Sequence, residues 1–84
     1  MLTLEQFTAT RRTCDETTWL ELVAEDNAPR EGRDACLIYA DGFMIHKGVA
    51  GQYFVHAWWY APIAYDTLEM AESKLYPWYE ELAA

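Results

Sequence analysis

The sequence is short of positive charge: six Lys and Arg stand against fourteen Asp and Glu, a formal net charge of −8. That balance argues against a nucleic-acid binder, which needs a basic face to displace counterions from phosphate. The only dense basic spots are Arg11–Arg12 and Arg30/Arg33. No apolar run approaches the roughly 18 residues that a membrane span requires. The opening Met-Leu-Thr-Leu-Glu-Gln-Phe lacks the positive start and apolar stretch of a signal peptide, so a cytoplasmic location is expected. Cys14 and Cys36 allow one bridge at most and form no C-x-x-C pair. They read as reduced thiols acting as small buried hydrophobes. Ser73 is the one serine, and no G-x-S-x-G is present for a nucleophile elbow. With four Gly and three Pro, the chain holds no flexible linker, internal repeat or low-complexity tract.

What the chain has is bulk. At 84 residues it is sized for a single small domain, residues 1–84. A chain of this length buries only about 60–70% of its unfolded surface, so its core must be dense in large side chains. Four Trp, six Tyr and three Phe in a 52% apolar composition meet that need and exclude disorder.

Residues 3–12 read as a helix, with Thr3 and Gln6 placed as a capping box and Leu4, Phe7 and Arg11 on one face. A second box, Thr13 with Glu16, predicts a helix over 14–24, although Thr17–Val23 also carries strand-prone residues. Residues 25–35 hold Pro29, Gly32 and mixed charge, and form a loop. Cys36–Ala40 and Phe43–Lys47 flank Asp41-Gly42, a strong hairpin signal. A four-residue turn at 48–51 leads to one aromatic strand over Gln52–Tyr60, ended by Pro62. Asp66 with Glu69 opens the last helix, whose apolar face is Leu68, Ala71, Leu75, Trp78/Tyr79 and Leu82. Pro77 predicts a break near Tyr76, because proline inside a helix costs about 3 kcal/mol. The expected fold is α+β: two layers, a three-stranded antiparallel meander and helices at both ends, in αβββα order.

A two-residue turn at 41–42 pairs Ile38 with Ile45, and the next turn pairs Ile45 with Phe54. Alternation then places Cys36, Ile38, Phe43, Ile45, Phe54 and His56 on one face. Leu37, Tyr39, Met44, His46, Tyr53, Val55 and Trp59 fall on the other. Both faces are apolar, whereas a meander with one wet face alternates apolar and polar. Tyr39, Met44, Tyr53, Val55 and Trp59 are therefore the candidate partner-binding residues, for another protein or for a second copy in a homodimer. This register sends His46 and His56 to opposite faces, where they cannot share a metal ion; an odd-length turn would reunite them. No metal, cofactor or catalytic residue is assigned. The carboxylate pairs Asp15/Glu16, Glu25/Asp26 and Glu80/Glu81 are sequence neighbours, which point apart on a helix.

Gly48-Val49-Ala50-Gly51 matches the G-x-x-G of the KH clamp but lies between strands, where it reads as a turn. The element order resembles the double-stranded RNA-binding domain, yet Asp66-Thr67-Leu68-Glu69 stands where that family has a lysine-rich helix start. Gly51 through Tyr79 resembles short uncharacterised bacterial proteins: a Gly-led aromatic strand, then Asp66-x-Leu68-Glu69 and Leu75-Tyr76-x-Trp78. That resemblance implies a bacterial cytoplasmic setting and the αβββα outline. The expected function is a non-enzymatic protein-interaction or regulatory module, with a binder of an aromatic or apolar ligand as the alternative and a small enzyme behind it. No nucleic-acid or membrane partner is expected.

Overall fold

A computed structural model describes the backbone of residues 1–57 and 60–83 and the side chains of 1–55 and 63–83. Helix α1 spans Leu4–Ala9. Both halves of its capping box form: Gln6 N–H donates to Thr3 Oγ1 at 3.2 Å and Thr3 N–H to Gln6 Oε1 at 2.9 Å. The helix is shorter than its sequence pattern. Thr10 caps it, and the Thr10 hydroxyl donates to the Phe7 carbonyl at 2.7 Å. Arg12–Thr13 then forms strand β1, too short for any periodicity to announce.

Helix α2, Glu16–Ala24, begins at Asp15 rather than Thr13. The Asp15 carboxylate accepts the Thr18 N–H at 2.7 Å, and this bond holds the carboxyl below the usual carboxylate range. A loop with a 3₁₀ turn at Arg33–Ala35 leads to β2, Cys36–Ile38. Strands β3, Met44–Lys47, β4, Tyr53–Ala57, and β5, Tyr60–Tyr65, follow in antiparallel order. The sheet thus has five strands in the order β1-β2-β3-β4-β5, not the three expected.

Both turns differ from the sequence reading by one residue. Asp41 and Gly42 have positive φ, as a two-residue turn demands, yet Tyr39 N–H donates to the Phe43 carbonyl at 2.8 Å. Ala40 is left as an extra residue, and its N–H goes instead to Thr10 Oγ1 at 2.9 Å. A bond from outside the hairpin therefore accompanies the lengthened turn. At the second turn Gly48 N–H donates to the Gln52 carbonyl at 2.8 Å, which pairs Lys47 with Tyr53. Gly48 is required there, because a Cβ would stand 2.7 Å from the Phe54 ring. Two one-residue shifts turn β3 over relative to β2 and β4. Ile38 pairs with Met44 and Cys36 with His46, so Met44 and His46 join Cys36, Ile38 and Phe54, while Ile45 joins Leu37, Tyr39, Tyr53 and Val55.

The aromatic segment is not one strand. The chain reverses, with Ala57 paired to Tyr60, and β5 continues through Pro62. Proline is tolerated because β5 is an edge strand, where a missing ladder donor does least harm.

Helix α3 runs unbroken over Leu68–Ala83 with Pro77 inside it, against the expected break. Ala71, Leu75 and Tyr79, four residues apart, are buried on both sides of the proline and hold the helix to the sheet. Pro77 and Ser73, whose carbonyl loses its helical partner, are exposed and can be served by water. Thr67, not Asp66, caps the helix: its hydroxyl accepts the Met70 N–H at 3.2 Å. Leu82, expected on the apolar face, is exposed.

Hydrophobic clusters lie on the two faces of the sheet. One joins Phe7, Tyr39, Ile45, Val55, Ala71, Leu75 and Tyr79 under α1 and α3. The Phe7 ring stacks on Tyr39 at 5.2 Å between centroids and on Tyr79 at 4.6 Å. The other joins Cys14, Cys36, Ile38 and Met44, with Trp19 and Leu22 of α2 packed on them. The N-terminal region thus wraps round to cover the second face along β2 and β3.

Candidate functional site

The expected partner surface does not assemble as a bare face. Tyr39, Met44 and Val55 are buried within the chain, and Tyr53 is half-buried. Met44 lies on the α2 side, while Tyr39, Tyr53 and Val55 lie on the α3 side. Trp59 lies outside the described residues. His46 stacks on Phe54 at 5.0 Å between ring centroids. The pairing of Met44 with His56 removes the basis for setting the two histidines on opposite faces; the His56 side chain lies outside the described residues. Among the described residues no group of three or more His, Cys, Asp or Glu is placed to hold a metal ion.

The chemistry that is buried centres on Glu72, the one buried charged side chain among the described residues, at 6% exposure. Helix α3 aims it inward from the stripe that carries Leu68, Ala71 and Leu75. Its Oε2 accepts the Tyr39 hydroxyl at 2.7 Å and Arg11 Nη1 at 3.0 Å. Burial, the bond to Glu72 and the nearby negative charge all push the Tyr39 hydroxyl above its ordinary pKa. Burial works against the charge on Arg11, but Glu72 and Tyr39 outweigh it and raise the guanidinium. The cluster therefore sets Glu72 between a phenol and a guanidinium that both hold their protons more tightly than usual. The pair had no place in the sequence reading, which set Arg11 only on a helix face with Leu4 and Phe7. Glu72 left one signal, an acid in step with the apolar residues of α3; its partners lie 33 and 61 residues away.

A groove of about 630 Å³ between α1 and α3 lies over this cluster, edged by Leu4, Glu5, Thr8, Glu69 and Ser73. A second cleft, about 300 Å³, lies between the Asp26–Glu31 loop and His46. Charged side chains line both. The Glu72 cluster can clamp α3 to the sheet and to the segment after α1. Its carboxylate already carries two donors on one oxygen, which suits fixing of the fold more than proton transfer to a ligand.

The outer side of α2 is different. Trp19 and Leu22 pack on the sheet, while Leu20 and Val23, three apart on the adjoining flank, are 59% and 51% exposed. No residue of α2 is buried. No protein family, curated protein or solved structure matches this chain. No helix among the described residues is long and apolar enough to cross a membrane.

Proposed function

We propose that this protein is a non-enzymatic interaction or regulatory module of the bacterial cytoplasm that docks a protein partner, a second copy included, on α2. The observation that carries the reading is that the apolar surface of α2 runs past the stripe packed on the sheet onto an exposed flank. A helix with a single neighbour buries one stripe and presents a polar face to water. Here Leu20 and Val23 stand in solvent in addition to the stripe already spent on the sheet. The acidic surface around them, from a chain of net charge −8, favours a partner with basic groups at the rim of the contact. The proposed docking surface thus moves from the sheet residues named by sequence to α2, which covers Met44 alone among those described.

The test is affinity capture from a bacterial extract with wild type and a Leu20→Lys/Val23→Lys variant side by side, with light scattering on both. A species held by wild type and released by the variant, or a wild-type dimer that the variant dissolves, supports the reading. Identical results for the two proteins overturn it. Both positions are exposed, so the variant should keep its circular dichroism spectrum and urea midpoint.

A further inference from the structure

We propose that Cys14 and Cys36 are a redox-closing pair, which a low-molecular-weight disulfide of the glutathione class converts to one cross-strand disulfide. The two cysteines are the next opposed positions after Thr13↔Leu37 in the antiparallel β1–β2 ladder, and Cys14 N–H donates to the Cys36 carbonyl at 2.9 Å. Opposed residues of such a ladder have Cα atoms about 4.5–5.5 Å apart, within the span that disulfides bridge without backbone movement. Both side chains enter one buried cluster on one face of the sheet. Cys36 Sγ also lies 3.2 Å from the Met44 sulfur, and Cys14 Sγ donates to the Asp15 carbonyl at 3.4 Å.

The same burial makes the closed protein inert. Neither thiol has any exposed surface, and burial with Cys14 alongside pushes the Cys36 thiol up to about 12. A thiolate, not a thiol, attacks a disulfide. Access then depends on the cover, which is α2, the helix with no buried residue. Local opening of so lightly anchored an element admits the reagent and lets a thiol ionise. One cysteine thiolate attacks the small disulfide, forms a mixed disulfide and releases one small thiol. The second cysteine, as thiolate, attacks the protein sulfur of the mixed disulfide and releases the other small thiol. Two protein thiols are oxidised and one small disulfide is reduced to two thiols, which take up the two protons. The opposed geometry makes the second attack intramolecular, so the mixed disulfide should not accumulate.

Oxidised glutathione in native buffer, followed by intact-mass and peptide mass spectrometry, tests this. The expected product is a monomer that has lost two hydrogens, carries no glutathione and yields a linked Cys14–Cys36 peptide. Trp19→Ala, which thins the cover, should speed closure several-fold, and Cys14→Ala and Cys36→Ala should each fail to close. If wild type keeps two unreacted thiols at full oxidation, or retains glutathione on either cysteine, the proposal is overturned. A Trp19→Ala rate equal to that of wild type overturns the gating by α2.

Discussion

Glu72 accepts two donors on one oxygen, and only one of those donors is buried. Arg11 keeps 42% of its side chain exposed and can return to water, but the Tyr39 hydroxyl has no such route. Glu72→Leu should therefore cost about 1–3 kcal/mol, chiefly by stranding that hydroxyl. Adding Tyr39→Phe should restore part of the loss, since removing both members of a buried polar pair is milder than removing one. A urea titration of the two single variants and the double reads the coupling; strictly additive losses would show that the hydroxyl does not depend on Glu72. Asp15 gives the pH dependence. Its folded pKa is lowered by the Thr18 N–H, so the folded state holds fewer protons than the unfolded one as the carboxyl titrates. The contribution is complete above the unfolded pKa and is lost as pH falls through the folded value. The stability difference between wild type and Asp15→Asn should shrink on acidification across that window. A difference that stays flat in the acid range of a pH series of urea midpoints would contradict this.

At the scale of elements, Pro77 is the sharpest case. It lies inside a continuous α3, where it withholds the N–H that Ser73's carbonyl would accept. Pro77→Ala should raise stability, by up to about 3 kcal/mol, seen as a higher urea midpoint. An unchanged midpoint would mean that the helix does not run through this position in solution. What sequence reveals here divides by the range of the cause. The Thr3/Gln6 capping box and the Ala71–Leu75–Tyr79 stripe arise within one helix and were readable. The turn at Ala40–Gly42 was not, because Thr10, 30 residues away, takes the Ala40 N–H. Strand β1 has two residues, and β5 carries a proline that only its edge position excuses. Once the first turn lengthened, every side chain of β3 changed face, and the inferred partner surface came apart with it. Glu72 was legible as an acid on an apolar stripe; Arg11 and Tyr39 as its partners were not.

For the molecule as a whole, charge sets the expectation. A net charge of −8 with six cations, one of them Arg11 engaged by Glu72, leaves little to displace counterions from a phosphate backbone. Fluorescence anisotropy with duplex DNA and RNA at physiological salt should show no binding. A submicromolar complex that weakens with salt would overturn that and reopen the Gly48–Gly51 turn as a nucleic-acid clamp.

The stack of Phe7 between Tyr39 and Tyr79 has a consequence in time. Its three rings come from positions 7, 39 and 79, so the centre of the larger cluster cannot exist until residue 79 has been made. While a ribosome still shields α3, α1 has nothing to stack against on that side, and the sheet shows its apolar face to the cell. That half of the core therefore waits for α3 and cannot form strand by strand. In that interval the emerging strands are exposed to aggregation, and the arrival of Tyr79 ends it.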